Sequence, residues 1–164
     1  MFKKHLFLFF IFLTSCSEDL SQKAKDFSQN KIIIDSHIDT PFQIWRQRNN
    51  TGSSDDITKN TSYHFDYPRA VEGGLNLPFF AIFIPARTET EGTSFELAVE
   101  LIEMMNKIIE DNPEKFTFIK SPSDIEVLEK NKSLVGIAYG IENGAPIEGK
   151  LENIKYFADL ESLL

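Results

Sequence analysis

Ile32-Ile33-Ile34-Asp35-Ser36-His37-Ile38-Asp39-Thr40-Pro41 is the stretch that decides how this chain is read. Three consecutive β-branched apolar residues predict a strand buried on both faces, as in parallel sheets. The strand runs directly into a His-x-Asp pair. Residues two apart in an extended chain point to the same side, so His37 and Asp39 can face one point in space. An imidazole and a carboxylate converging at the C-terminal end of a buried strand suit a divalent transition metal. His-x-Asp is common by chance, and it is the Ile-rich strand before it that gives this one weight.

Downstream, the pattern alternates. Phe42 to Arg48 reads as helix, and the polar run Asn49 to Thr61 as a loop. Asp66 suits the N-cap of a short turn that Gly73-Gly74 ends. Leu75 to Ile84 is a second apolar strand with Pro78 near its start. Thr93-x-x-Glu96 matches a capping box and opens an amphipathic helix with Phe95, Ala98, Leu101, Ile102, Met105, Ile108 and Ile109 on one face. Phe116 to Ile119 is a short strand, and Ser121-Pro122 starts another helix. Leu134 to Ile141 is a fourth strand ending at Glu142, and Leu151 to Leu160 is helical again. Four strand–helix units predict a parallel sheet with covering helices, about half of an eight-stranded barrel, with a doubly wound sheet as the alternative. There is no Gly-rich phosphate loop and no internal repeat.

Residues 1–15 read as a signal segment: Lys3 and Lys4, then an apolar run from Leu6 to Leu13 too short for an ordinary membrane span. Leu13-Thr14-Ser15-Cys16 resembles the bacterial lipobox, which implies cleavage before Cys16 and lipidation of the chain's only cysteine. With one cysteine, neither a disulfide framework nor a thiolate zinc site can form. Residues 16–30 are polar and suit a tether, leaving 31–164 as the folded part. After cleavage, 15 basic residues face 25 acidic ones, a net −10. That balance argues against nucleic acid and against polybasic docking on anionic lipid, so the membrane partner would be reached through the lipid on Cys16. The chain stops soon after a fresh helical pattern, as expected for the N-terminal part of something longer.

In α/β folds functional residues gather at the C-terminal ends of strands. His37 and Asp39 follow the first strand and Glu142 follows the fourth, which gives most of a metal's inner ligand set. Other roles fit each residue: Asp39 as a turn residue, His37 in the core, Glu142 capping the next loop.

Four segments, in order, look like the membrane (renal-type) dipeptidases, a family of zinc peptidases with a TIM-like (β/α)8 barrel. Asp35-Ser36-His37-Ile38-Asp39-Thr40-Pro41 resembles their first metal motif. Asp66-Tyr67-Pro68-Arg69 with Glu72-Gly73-Gly74 resembles their D-x-P-R…GG segment. Phe79 to Pro85 is similar to their second barrel strand, and Gly140-Ile141-Glu142-Asn143-Gly144 to their G-x-E-G/N-G segment. The resemblance implies His37 and Asp39 on one zinc and Glu142 bridging to a second. It also implies a hydroxide held between the ions that attacks the carbonyl of a dipeptide, with a homodimer allowed at full length. The family's two later ligand histidines have no counterpart, since no histidine follows His64. An α/β half-barrel lacking them would be inactive alone. His64 with Asp66 forms a second His-x-Asp, expected to be structural, with Asp66 a helix cap. Trp45 is expected to pack near the site. Another amide or a lactone as substrate, or a non-catalytic surface lipoprotein that binds through the barrel, are the competing functions.

Overall fold

The computed structural model describes residues 19–160 and 162–163. The expected signal segment, residues 1–15, and Cys16 therefore lie outside the described residues. Five strands, β1 (Ile33–Ile38), β2 (Leu75–Phe83), β3 (Phe116–Phe118), β4 (Val135–Glu142) and β5 (Ser162–Leu163), form one sheet in which every pairing is parallel. The helices are α1 (Leu20–Asn30), α2 (Thr40–Thr51), α3 (Tyr67–Gly73), α4 (Arg87–Glu91), α5 (Ser94–Glu110), α6 (Glu126–Lys130) and α7 (Leu151–Asp159). No helix among the described residues is long and apolar enough to cross a membrane.

The strand order β1-β2-β4-β3 departs from a simple count of units. β2 pairs directly with β4, Phe79 to Phe83 opposite Ala138 to Glu142. Along β4, Val135 and Ile137 bond toward β3, whereas the Glu142 carbonyl accepts the Ile84 N–H. Successive residues of a strand bond to opposite sides, so β3 lies on the edge away from β2. β5 follows it on that edge, beside Tyr139 and Gly140. The consecutive members of the curved sheet are thus β1, β2, β4 and β5, with β3 an outlier.

β2 is the doubly buried strand that its run of apolar residues predicts. Phe80, Ile82 and Ile84 pack with Val135, Ile137 and Tyr139 against α5, whose Leu101, Ile102 and Met105 are fully buried. The opposite face carries a smaller cluster of Leu77, Ile119, Leu128, Leu134 and Ala138. β1 behaves differently from its sequence. It is an edge strand, mostly exposed, with Ile34 49% accessible, because only β2 pairs with it among the described residues.

Three local expectations are corrected. Residues 20–30 of the predicted tether form α1, capped by Asp19, and Gln29 donates to the Val71 and Glu72 carbonyls at the end of α3. That contact needs Gly74: its φ is +79°, and a Cβ there would lie 2.6 Å from the Ser28 carbonyl oxygen. The capping box at Thr93 does not form. Thr93 has φ −122° and ψ 12°, outside the extended geometry of a cap, and its N–H bonds the carbonyl of Thr88 in the first turn of the unforeseen α4. Ser121-Pro122 opens a 3₁₀ turn over Pro122–Ile125 before α6, with Asp124 accepting from the Lys120 and Ser121 N–H groups.

Asp66 caps α3 as expected and does more. Wholly buried, it accepts from the Arg69 N–H at 2.9 Å, the Arg69 guanidinium at 2.7 Å and the Thr61 N–H at 2.9 Å. Arg69 also bonds the Tyr63 carbonyl. Burial pushes the Asp66 carboxyl up, but these donors outweigh it and hold the group below its ordinary value of 3.8. A depressed folded-state value means a stabilisation complete above the unfolded value and lost as pH falls through the folded one. We expect Asp66→Ala to cost about 3 kcal/mol and Asp66→Asn to flatten the acid limb below pH ~4. Urea midpoints measured from pH 2 to 6 test both, and an unchanged slope in Asp66→Asn would exclude Asp66 as its source.

Candidate metal centre

His37 owes its position to an irregularity in β1. Between Asp35 and Ile38 the strand advances three residues while β2 advances two, from Pro78 to Phe80. One extra residue on one strand is a bulge, which re-aims the side chains it carries. Asp35 steadies it by accepting the His37 N–H at 3.0 Å. Lower on the same pair, the slack falls on β2, and the buried Asn76 side chain takes the Ile33 N–H at 2.9 Å.

Asp39 occupies the N-cap position of α2, with Pro41 inside the first turn, yet its carboxylate makes no capping hydrogen bond. It faces His37 instead, His37 Nε2 lying 3.4 Å from Asp39 Oδ1. Glu142 is the last residue of β4. The pleat puts it on the face of Gly140 and Ala138, opposite Val135, Ile137 and Tyr139. Its Oε2 is 3.3 Å from His37 Nε2. One ligand atom from each of the three residues lies within 4.8 Å of the other two.

These separations fit a shared cation. Ligands about 2.0–2.1 Å from a tetrahedral zinc stand roughly 3.3–3.4 Å apart, and both measured distances to His37 match. The donor set of one imidazole and two carboxylates is the borderline-hard mixture that zinc and its neighbours accept. All three side chains are about half exposed, so solvent and further ligands can reach the centre.

Three clefts meet here. The first, about 340 Å³, runs from His37 and Asp39 between α2 and the loop 55–65. The second, about 270 Å³, is walled by Phe42, Gln43, Arg46 and Phe83. The third lies over Ala81 and Gly140, where a lone methyl group and a bare Cα leave room beside Glu142.

The sequence grouped His37, Asp39 and Glu142, and the structure brings all three together. It places His64 differently from expectation: an exposed residue on the first cleft's wall, outside the triad. Trp45 packs as expected, its ring 5.4 Å from Phe42, but lines none of the three clefts. Phe42, Gln43 and Arg46 were missed. The helical spacing from Asp39 would have found them, since residues three, four and seven further on share its face.

The family model for membrane dipeptidases matches residues 21–162. Solved structures agree in fold. The dipeptidase AC, a metallopeptidase, is 18% identical with a TM-score of 0.67, over 81% of this chain and 41% of its own. A metallopeptidase from Rhodobacter sphaeroides, liganded with a phosphinate mimic of L-Ala-D-Ala, has the same identity and score, over 81% of this chain and 44% of its own. A probable dipeptidase, PvdM, from Pseudomonas aeruginosa is 19% identical with a TM-score of 0.70, over 87% and 36%. The chain spans roughly two-fifths of the length of the solved structures it matches.

Titration of zinc against a chromophoric chelator tests the triad. Loss of a direct ligand in His37→Ala should weaken zinc by on the order of a hundredfold or more. His64→Ala should stay within about twofold of the parent; equal effects from the two would dissolve the distinction.

Proposed function

The chain belongs to the membrane dipeptidase family, peptidase family M19, and on that premise we propose that the full-length protein is a zinc-dependent dipeptidase. The observation that supports this most is the convergence of His37, Asp39 and Glu142 at the C-terminal ends of parallel strands. This is where a (β/α)8 fold builds its active sites.

In this reading His37 and Asp39 would hold a zinc ion, through Nε2 and Oδ1, the two atoms that face each other. Glu142, whose Oε2 lies against His37 Nε2, would be the third ligand and the residue shared with a second ion. Zinc so held supplies a Lewis acid for the scissile carbonyl and water acidified into the neutral range. The chain's own part is to hold the three donors rigidly. The bulge fixes His37, the start of α2 fixes Asp39, and β2–β4 pairing fixes Glu142. The remaining ligands would come from residues beyond those of this chain, and this portion alone would be inactive. Lys3, Lys4, the apolar run and Leu13-Thr14-Ser15-Cys16 support export and lipid anchoring at Cys16, on the envelope side of a bacterial membrane.

The test uses full-length protein stripped by chelator and reloaded with zinc, assayed for amino acids released from L-Ala-L-Ala. Hydrolysis should vanish on stripping and return on reloading. His37→Ala and Glu142→Gln should each lower kcat/KM by about a thousandfold or more. Zinc binding without dipeptide hydrolysis would move the substrate to another amide or a lactone. Absence of zinc binding would sink the enzyme reading altogether.

A further inference from the structure

We propose that Asn143 is a positioning residue that holds Glu142 in its ligand direction, an inference that rests on the metal-centre and dipeptidase reading above. Asn143 is one of two non-glycine residues with a positive φ among the described residues, at +82°. Left-handed backbone is costly for most side chains, and asparagine tolerates it because its short amide can bond locally. Here that amide bonds on both sides. Its Nδ2 donates to the Ile84 carbonyl at 3.0 Å, and its Oδ1 accepts the Ala145 N–H at 3.0 Å.

The first of these bonds completes a ladder. The last β2–β4 pair is Phe83 opposite Glu142, and the Ile84 N–H reaches the Glu142 carbonyl one step further on. In a parallel ladder that continued, the Ile84 carbonyl would accept the N–H two residues beyond Glu142, on Gly144. The left-handed turn at Asn143 takes the backbone elsewhere, and Gly144 opens the 3₁₀ turn Ala145–Ile147. The Asn143 side chain supplies the donor in its place. Ile84 is wholly buried, where a carbonyl needs a partner.

The consequence falls on Glu142. Ile84 grips the chain twice, its N–H on the carbonyl of Glu142 and its carbonyl on the side chain of the next residue. Glu142 is thus clamped at the point where β4 leaves the sheet, and strand ends are where backbone pairing opens most easily. The second bond, to Ala145, fixes the turn that follows. Every member of the clamp, from Ile84 to Ala145, belongs to the paired β2–β4 unit or the turn directly after it. Asn143 lines none of the three clefts that meet at the triad, so its influence on a bound ion passes through Glu142.

The test uses full-length protein, stripped by chelator and loaded with zinc or cobalt. Asn143→Gly keeps the left-handed backbone and removes both bonds, whereas Asn143→Asp keeps the acceptor for Ala145 and loses the donor to Ile84. Both should weaken zinc about tenfold, shift the visible absorption of the cobalt-loaded protein, and lower kcat on L-Ala-L-Ala with KM within about twofold. Zinc affinity and cobalt spectrum unchanged in both variants, whatever their thermal midpoints, would make the latch merely structural and overturn the proposal. An effect in Asn143→Gly without one in Asn143→Asp overturns it too, because the Ile84 bond would then carry none of it. Variants that weaken metal in a protein that cleaves no dipeptide would sink the dipeptidase reading and leave the positioning role standing. A parent that binds no metal overturns both.

Discussion

The direct pairing of β2 with β4 is the constraint on which the rest depends. His37 and Glu142 stand 105 residues apart in the chain, and no local preference could set their separation. The ladder does. Five consecutive residue pairs end with Phe83 opposite Glu142, while β1 is pinned to the other edge of β2. β2 and β4 are held by backbone bonds along both edges and by the packing of Phe80, Ile82 and Tyr139 on one face. A one-residue slip of β4 would turn Glu142 to the helix-covered face and bring Ile141 to the centre. Burying the apolar face therefore also fixes the register of the carboxylate.

A second constraint shapes the site's surroundings. Ile57 and Phe65 anchor loop 55–65 in the core, and one buried ion pair organises the polar chain between them. Asp66 takes the N–H of Thr61 and the guanidinium of Arg69, which in turn holds the Tyr63 carbonyl. The wall of the first cleft is thus organised by Asp66 and Arg69, which do not line it. Asp56 adds to the loop's order, its carboxyl lowered to about 2 by Lys59 and then by Thr58.

Much of this was legible in the sequence because it follows from period and turn chemistry. The apolar runs of β2 and β4, the i, i+3, i+4 pattern of α5, the Asp66 cap and the Gly74 stop are local signals, and each appears where it was read. The three triad residues were legible as strand ends plus a resemblance. What escaped depended on distant partners. The exposure of β1 reflects its position in the sheet, the folding of α1 depends on α3, and the failed cap at Thr93 follows from α4.

The place of β3 has a consequence for how this architecture can vary. Among the described residues its strand pairing is confined to residues 135–137 at the start of β4, on the edge away from β2. Nothing between Asp111 and Asn131 separates the strands that carry His37 and Glu142. That stretch packs Phe116, Ile119 and Leu128 into the core from the flank of two adjacent staves without coming between them. The separation of His37 and Glu142 is set by the β2–β4 ladder, not by the length of chain in between. The sequence distance from first ligand to last is therefore a poor ruler for comparing such proteins; the reliable one is the strand pairing that skips over it.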